Sequence, residues 1–301
     1  MDNYYFSVII PTKNTYKLLQ DCLDSIPLRD DLEVIVVDDN SDSKIVDFEH
    51  YPGLNRPNTQ VVFTKDGKGA GFARNVGLLK AKGKWVLFSD SDDTFETDNF
   101  NRMLDTYTDS KADIIFFNAN RVDESTGEVL SQHLSKDKYE RNARQYANHM
   151  RYLSNVPWAK MIKRELIVKN SIQFSEVPAA NDLLFSAVSG YYAQDVIIDF
   201  TVVYDWKVRR SGSITSTVSP ISILSKLGQA SQKNEFLWYK GEKAWCTNLY
   251  TASYWRLRGV GFSHSEAMRE INKNVTVGPK LQWEMEFWLL WPIDVIRRKT
   301  R

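Results

Sequence analysis

The chain has 301 residues, of which 43% are hydrophobic and 26% charged, and its formal net charge is +1 at pH 7. This length allows one large domain with an additional segment, and the balanced charge argues against a nucleic-acid partner. Two cysteines, Cys22 and Cys246, do not indicate a disulfide scaffold or a zinc site, so we expect two reduced thiols.

Short apolar runs alternate with segments of helical spacing in the first 120 residues. The helical segments are predicted to begin near Asn14 or Thr15, near Gly71 and near Asp98. The predicted strands are residues 6–10, 33–37, 60–63, 84–89 and 113–117. Strands that are apolar on both faces and separated by helices are typical of a mainly parallel sheet covered on both sides. The predicted fold class is therefore α/β, with a Rossmann-like sheet flanked by helices.

The pattern changes along the second half of the chain. Residues 119–150 are polar and irregular, residues 156–172 indicate a loop and a helix, and residues 196–208 are again β-rich. From residue 219 onward the sequence is helical in character and rich in aromatic side chains. We therefore divide the chain into a catalytic and nucleotide-binding domain at 1–214 and a helical region at 215–301.

An acidic cluster, Asp90-Ser91-Asp92-Asp93, follows the apolar run at 84–89. Ionised carboxylates at the end of a buried strand are costly without partners. A hard divalent cation prefers oxygen ligands, so Mn²⁺ or Mg²⁺ would hold such a cluster together. The alternative is a solvated acidic turn with a helix cap.

Two further polar clusters also stand where predicted strands end. Pro11-Thr12 follows the first strand and Asp38-Asp39 follows the second. Ligands of such sheets bind beyond the carboxyl ends of the strands, so we expect these clusters and the acidic cluster to converge on one crevice. The alternative for residues 38–41 is a simple turn, because Asp, Asn and Ser all favour turns.

Six motifs, in this order, resemble the family 2 glycosyltransferases with a GT-A fold, over roughly residues 5–214. The motifs are VIIPTKN at 8–14, VVDDNSD at 36–42, GFARNVGL at 71–78, DSDD at 90–93, WAK at 158–160 and NDLLF at 181–185. The last stands where the family usually has Glu-Asp-x-x-Phe. Asn181 thus replaces an acid beside Asp182, which should make Asp182 easier to ionise.

The resemblance implies a role for each matching residue. Asp39, with Asp38 beside it, would accept a hydrogen bond from uracil, and Arg74 would contact the base or the diphosphate. Asp92 would bind the metal ion directly, and Asp90 would face the ribose and the metal shell. Asp182 would be the catalytic base. The remaining implied contacts are Pro11, Thr12, Asn14 and Ser91 with the nucleotide, and Asn181 and Trp158 with the acceptor.

The resemblance implies an inverting, metal-dependent transfer of a sugar from a nucleotide sugar, with UDP as the expected nucleotide. The implied acceptor is a saccharide or a lipid-linked saccharide in surface polysaccharide or capsule synthesis. Two alternatives stay open. One is a sugar-nucleotide-binding protein without turnover, which Asn181 alone supports. The other is a sugar nucleotidyltransferase, which would need a Gly-rich, Arg-bearing loop after the first strand, where this chain has residues 11–14 instead.

The C-terminal segment is strongly apolar at 281–292 and basic at 297–301. It is too short to span a bilayer, and Pro292 would bend it. Its tryptophans and basic end favour peripheral attachment to the inner face of the cytoplasmic membrane. The alternative is a helix packed on the core, where it could also form a homodimer contact. We find no signal peptide pattern, so a cytoplasmic location is expected.

Overall fold

A computed structural model describes residues 4–208, 219–278 and Trp283 of the chain. Nine strands within these residues form one sheet, in the order β3-β2-β1-β4-β8-β6-β9-β5, with β7 beside β6. The strands are β1 (Phe6–Thr12), β2 (Leu32–Asp39), β3 (Thr59–Thr64), β4 (Trp85–Phe88), β5 (Thr94–Phe95), β6 (Ile114–Asp123), β7 (Val129–Gln132), β8 (Lys160–Lys163) and β9 (Val196–Val208).

The four strands β3-β2-β1-β4 are parallel, as their apolar runs predicted. Beyond them the sheet is mixed, because β8 pairs antiparallel with both β4 and β6. Strand β8 lies in the region 156–172, for which the sequence predicts a loop and a helix and no strand. Only four residues form this strand, which is too short for a periodic signal. The α/β class is confirmed.

Ten α-helices lie within the described residues. They are α1 (Tyr16–Asp24), α2 (Ala70–Lys80), α3 (Thr97–Tyr107), α4 (Lys136–Arg141), α5 (Ala143–Leu153), α6 (Arg164–Lys169), α7 (Leu183–Tyr192), α8 (Pro220–Tyr239), α9 (Tyr250–Gly259) and α10 (His264–Asn274). Residues 119–150, predicted to be irregular, contain the end of β6, then β7, α4 and α5. Helix α5 forms there because Tyr146 and Met150 bury one face among polar neighbours.

Both faces of the sheet are covered by hydrophobic cores. In β1, Val8 and Ile10 point into one core with Leu19 of α1, whereas Ile9 points into the other with Ala73 of α2. This alternation follows from the two-residue period of a strand. The covering helices leave the carboxyl ends of the parallel strands as the edge where polar side chains gather.

The helical region after residue 219 has a hydrophobic core of its own, built from α8, α9 and α10 and including Trp283. Helix α8 also packs against α7 of the sheet domain. No helix in the described part of the chain is long and apolar enough to cross a membrane. Residues 284–301, on which the membrane and dimer predictions chiefly rest, lie outside the described residues.

Candidate functional site

The carboxyl ends of β1, β2 and β4 are joined by polar contacts. Thr12 of β1 pairs in register with Asp38 of β2. The Oγ1 of Thr12 lies 2.8 Å from the Oγ1 of Thr15, which in turn lies 2.8 Å from the Oγ of Ser91, after β4. These strand-end clusters are thus brought together, and Pro11 lies buried in β1 beside them.

Asp38 organises the loop that follows β2. Its carboxylate accepts hydrogen bonds from the backbone N–H and the Oγ of Ser41, at 2.8 and 2.5 Å, and from the hydroxyl of Tyr51 at 2.6 Å. Asn14, with a left-handed φ of 57°, donates its N–H to the Oγ of Ser41. The hydrogen bonds of Asp38 therefore hold the loop after β2 in contact with Asn14.

Asp39 joins β2 to the start of α2. It accepts hydrogen bonds from the hydroxyl of Thr64 at 2.9 Å and from the backbone N–H of Gly69 at 2.6 Å. Gly69 has a φ of +96°, a conformation that disfavours other residues. A carboxylate has about four acceptor positions, so Asp39 keeps capacity for a further donor.

Arg74 of α2 connects the acidic turn after β4 to the segment that precedes α7. It is only 5% exposed, and it donates hydrogen bonds to Oδ1 of Asp90 at 2.6 Å and to Oδ1 of Asn181 at 2.8 Å. Gly71 allows this approach, because a Cβ at that position would lie 2.2 Å from the carbonyl oxygen of Ser175. The motif residues 71–78, 90–93 and 181–185 therefore meet at one guanidinium group.

The acidic turn after β4 is anchored by a residue that the sequence analysis did not select, Tyr204 of β9. Its hydroxyl accepts the N–H of Asp90 at 3.0 Å and donates to Oδ2 of Asp93 at 2.9 Å. Burial, with the nearby charges of Asp90 and Asp92, raises the pKa of Asp93 well above its usual range. Asp93 is thus an internal anchor, and a tyrosine in an apolar strand offers no local signal of this role.

Asp90 and Asp92 differ from Asp93 in their accessibility. The side chain of Asp90 is 33% exposed, and that of Asp92 is half-buried. No three His, Cys, Asp or Glu side chains among the described residues are placed to hold a metal ion by themselves. Mg²⁺ and related hard cations are commonly bound by one or two carboxylates together with substrate phosphates and water. The donor set fits such a shared site.

Asp182 stands at the N-terminus of α7, as its N-cap residue, and its carbonyl accepts the N–H of Ser186 at 2.9 Å. Its side chain is half-buried. Desolvation by burial raises the pKa of Asp182, and the positive charge of Arg74 opposes that rise. A carboxylate with a raised pKa, held beside a cation, has the properties of a general base.

The two residues predicted to contact an acceptor differ in accessibility. Asn181 is half-buried and bonded to Arg74. Trp158 is only 4% exposed, stacked on Tyr204 at a centroid distance of 5.3 Å and tilted against Trp206. This burial favours a core position for Trp158 over the predicted contact with an acceptor.

Comparison with known proteins gives a family match. The model described as glycosyl transferase family 2 matches residues 7–168. EpsH of Bacillus subtilis, a proposed glycosyltransferase, is 25% identical over 222 residues, which is 71% of this chain and 64% of EpsH. TarS of Staphylococcus aureus, a poly(ribitol-phosphate) β-N-acetylglucosaminyltransferase, is 28% identical over 223 residues, 71% of this chain and 38% of TarS. The chain thus spans less than two thirds of either relative.

Solved structures share the fold. The crystal structure of TarS 1–349 with UDP-GlcNAc superposes with a TM-score of 0.58 at 20% identity, covering 90% of this chain and 71% of that one. A mannosyltransferase from Pyrobaculum calidifontis, solved with GDP-Man and Mn²⁺, gives 0.56 at 18% identity, covering 95% and 80%. The expected GT-A class, an α/β sheet with a helical extension, is confirmed.

Proposed function

Because the chain belongs to glycosyl transferase family 2, we propose that it transfers a sugar from a UDP-sugar to a hydroxyl of a saccharide or lipid-linked saccharide in surface polysaccharide synthesis. TarS, which is named for transfer to poly(ribitol phosphate) and was solved with UDP-GlcNAc, supports a UDP-sugar donor and a hydroxyl-bearing polymer as acceptor. The relatives EpsH and TarS are both described as glycosyltransferases, which favours turnover over mere binding of a sugar nucleotide.

One observation carries the proposal: Arg74 bonds to both Asp90 and Asn181, and so joins the acidic turn to the segment that begins α7. Its Nε–H is buried and has no hydrogen-bond partner among the described residues. An unpaired buried donor is costly, and a diphosphate oxygen would satisfy it. In this proposal the donor lies between Asp39 and Arg74, along the ends of β1 and β2, with its sugar directed toward Asp182.

The reaction is a direct displacement. The acceptor oxygen forms a bond to the anomeric carbon while Asp182 takes the hydroxyl proton, and the bond to the diphosphate breaks with its electron pair leaving on the phosphate oxygen. One base on the face opposite the leaving group gives inversion. Asp90 and Asp92 would hold Mn²⁺ or Mg²⁺, which when bound stabilises negative charge on the diphosphate. Arg74 adds a fixed positive charge at the same end.

Replacing Asp182 tests the assignment of the base. Asp182→Asn keeps the shape but cannot take a proton, so we expect nucleoside diphosphate release to fall by about 10² to 10⁴. The measurement is release of UDP from a panel of UDP-sugars with Mn²⁺, with and without a saccharide acceptor. Asp98→Asn, at an exposed position of α3, is the control.

Wild-type turnover in Asp182→Asn would contradict the assignment of Asp182 as the catalytic base. Tight binding of UDP by the wild type, with no release of UDP from any donor, would instead support a binding protein. Release that continues unchanged in the presence of a chelator would contradict the metal site at Asp90 and Asp92.

A further inference from the structure

We propose that Lys160 is a positioning residue for Asp182: its buried ammonium group fixes the first turn of α7 and places a positive charge behind the base. This inference rests on the function proposed above. Lys160 is the last residue of the WAK motif at 158–160, and the sequence alone predicts no chemical role for it.

The contacts of Lys160 lead to Asp182 in two steps. Its Nζ donates to the Oγ of Ser186 at 3.2 Å and to the carbonyl of Ser154 at 3.0 Å. The Oγ of Ser186 donates in turn to the carbonyl of Asn155 at 2.8 Å, and the N–H of Ser186 bonds to the carbonyl of Asp182. Ser186 is therefore held from both sides, and the turn that begins at Asp182 is held with it.

A charge as deeply buried as that of Lys160 needs compensation. The residue is only 3% exposed, and the described ion pairs do not include it. Its hydrogen-bond partners are neutral, and the ring of Phe116 lies 5.5 Å from Nζ. The remaining compensation is the electrostatic attraction of Asp182. Burying an ammonium group on such terms is costly, which indicates a role beyond packing.

The electrostatic effect acts in both directions. Burial lowers the pKa of Lys160 to about 7, and Asp182 opposes that change. Burial raises the pKa of Asp182 and Asp90 adds to the rise, whereas Arg74 from α2 and, more weakly, Lys160 from β8 oppose it. Below pH 7 Lys160 is protonated, so its charge is present in the range where Asp182 would lose its activity by protonation. Removing the charge of Lys160 should therefore make Asp182 take up its proton, and lose activity, at a higher pH.

Lys233 of α8 provides a matched control. It is 2% exposed, and its Nζ donates to the carbonyl of Tyr152 at 3.3 Å, at the same end of α5 that Lys160 contacts through Ser154. Burial lowers its pKa to about 8. The charge that opposes this change is that of Cys246, whereas for Lys160 it is that of Asp182. Lys160→Met and Lys233→Met therefore remove equivalent buried charges, of which only one faces the base.

The experiment is the pH profile of kcat/KM for UDP release in the wild type, Lys160→Met and Lys233→Met. We expect the acid limb of Lys160→Met to move to higher pH by up to about half a unit, because losing an opposite charge raises the pKa of a carboxyl and the effect of Lys160 on Asp182 is smaller than that of Arg74. The acid limb of Lys233→Met should coincide with that of the wild type. A Lys160→Met limb identical to the wild type, or an equal shift in Lys233→Met, would overturn the inference. A wild type that releases no UDP would instead contradict the proposed function.

Ser186→Ala separates the contact from the charge. It removes the hydroxyl that Lys160 holds but keeps the ammonium group, so kcat should fall about tenfold or more with the acid limb unmoved. Wild-type kcat in this variant would overturn the role in positioning α7, and this remains decisive even if Lys160→Met does not fold. Circular dichroism establishes that each variant tested is folded.

Discussion

At the scale of single residues, the site depends on side chains whose partners lie far away in sequence. Arg74 binds Asn181, 107 residues away, and the hydroxyl of Tyr204 binds the backbone of Asp90, 114 residues away. Hydrogen bonds that involve charged groups are worth about 1.5 to 3 kcal/mol each. Losing the geometry of Arg74 should therefore disturb both sides of the site at once.

Arg74→Lys tests this dependence. Lysine keeps the charge but lacks the planar fork, so one ammonium group cannot reproduce the contacts with Asp90 and Asn181 together with a diphosphate contact. We expect the Kd for UDP in the presence of Mn²⁺ to rise about tenfold or more, measured by calorimetry. Arg102→Lys, at an exposed position of α3, should bind UDP as the wild type does. Equal affinities of the two variants would show that Arg74 acts as a charge alone.

At the scale of secondary-structure elements, the position of α7 is set by close packing on α5. A Cβ at Gly190 of α7 would lie 2.2 Å from the carbonyl oxygen of Arg151. The Arg151 guanidinium in turn donates to the carbonyl of Ala193 at 2.7 Å, just after α7 ends. Near the start of α7, Lys160 of β8 donates both to Ser186 and to the carbonyl of Ser154, the residue after α5. Both ends of α7 are therefore linked to the C-terminal end of α5.

Gly190→Ala should force these two helices apart. We expect the free energy of unfolding to fall by about 1 to 3 kcal/mol, the usual cost of overpacking, measured by urea denaturation. Gly259→Ala is the matched control, because Gly259 also lies in a helix but has no atom within 4 Å of the added Cβ. That variant should be unchanged or more stable by up to about 1 kcal/mol. A destabilisation of equal size in both variants would rule out the steric explanation.

At the scale of the whole molecule, two buried lysines join the sheet domain and the helical region at one end of α5. Lys160 comes from β8 and Lys233 from α8. Burial lowers the pKa of Lys160 to about 7 and that of Lys233 to about 8, both below the ordinary value of 10.5. Between pH 7 and 9 the unfolded chain therefore binds more protons than the folded chain, so these two groups make stability rise with pH.

The double variant Lys160→Met/Lys233→Met should flatten this dependence. Each lysine contributes at most about 1.4 kcal/mol per pH unit to the slope. Urea unfolding at pH 7, 8 and 9 measures the slope in the wild type and in the double variant. Burial raises the pKa of Cys22 from 9.0 to about 12, so near pH 9 this thiol makes stability fall with pH. That contribution is the same in both proteins, so the difference between their slopes reports the lysines. A double variant with the slope of the wild type would show that folding does not lower the pKa values of these lysines.

Local sequence determined the parallel half of the sheet and the acidic residues at its edge. Runs such as those of β1, β2 and β4 are apolar on both faces, and the polar residues that follow each run mark its carboxyl end. Both signals are contained within about ten residues, so no tertiary information was needed to predict them. The predicted convergence of Thr12, Asp38 and Ser91 followed from this order.

Only the tertiary structure decided which polar groups face a ligand and which are internal anchors. In the sequence, Asp38 and Asp93 cannot be told from their neighbours Asp39 and Asp92. In the structure, however, Asp38 accepts a hydrogen bond from Tyr51 and Asp93 accepts one from Tyr204, and both tyrosines come from distant parts of the chain. Strand β8 was likewise decided by its pairing with β4 and β6, which brings Lys160 to Ser186 in the first turn of α7. The cost of burying a polar group depends on its partners, and those partners are chosen by the packing of the whole chain.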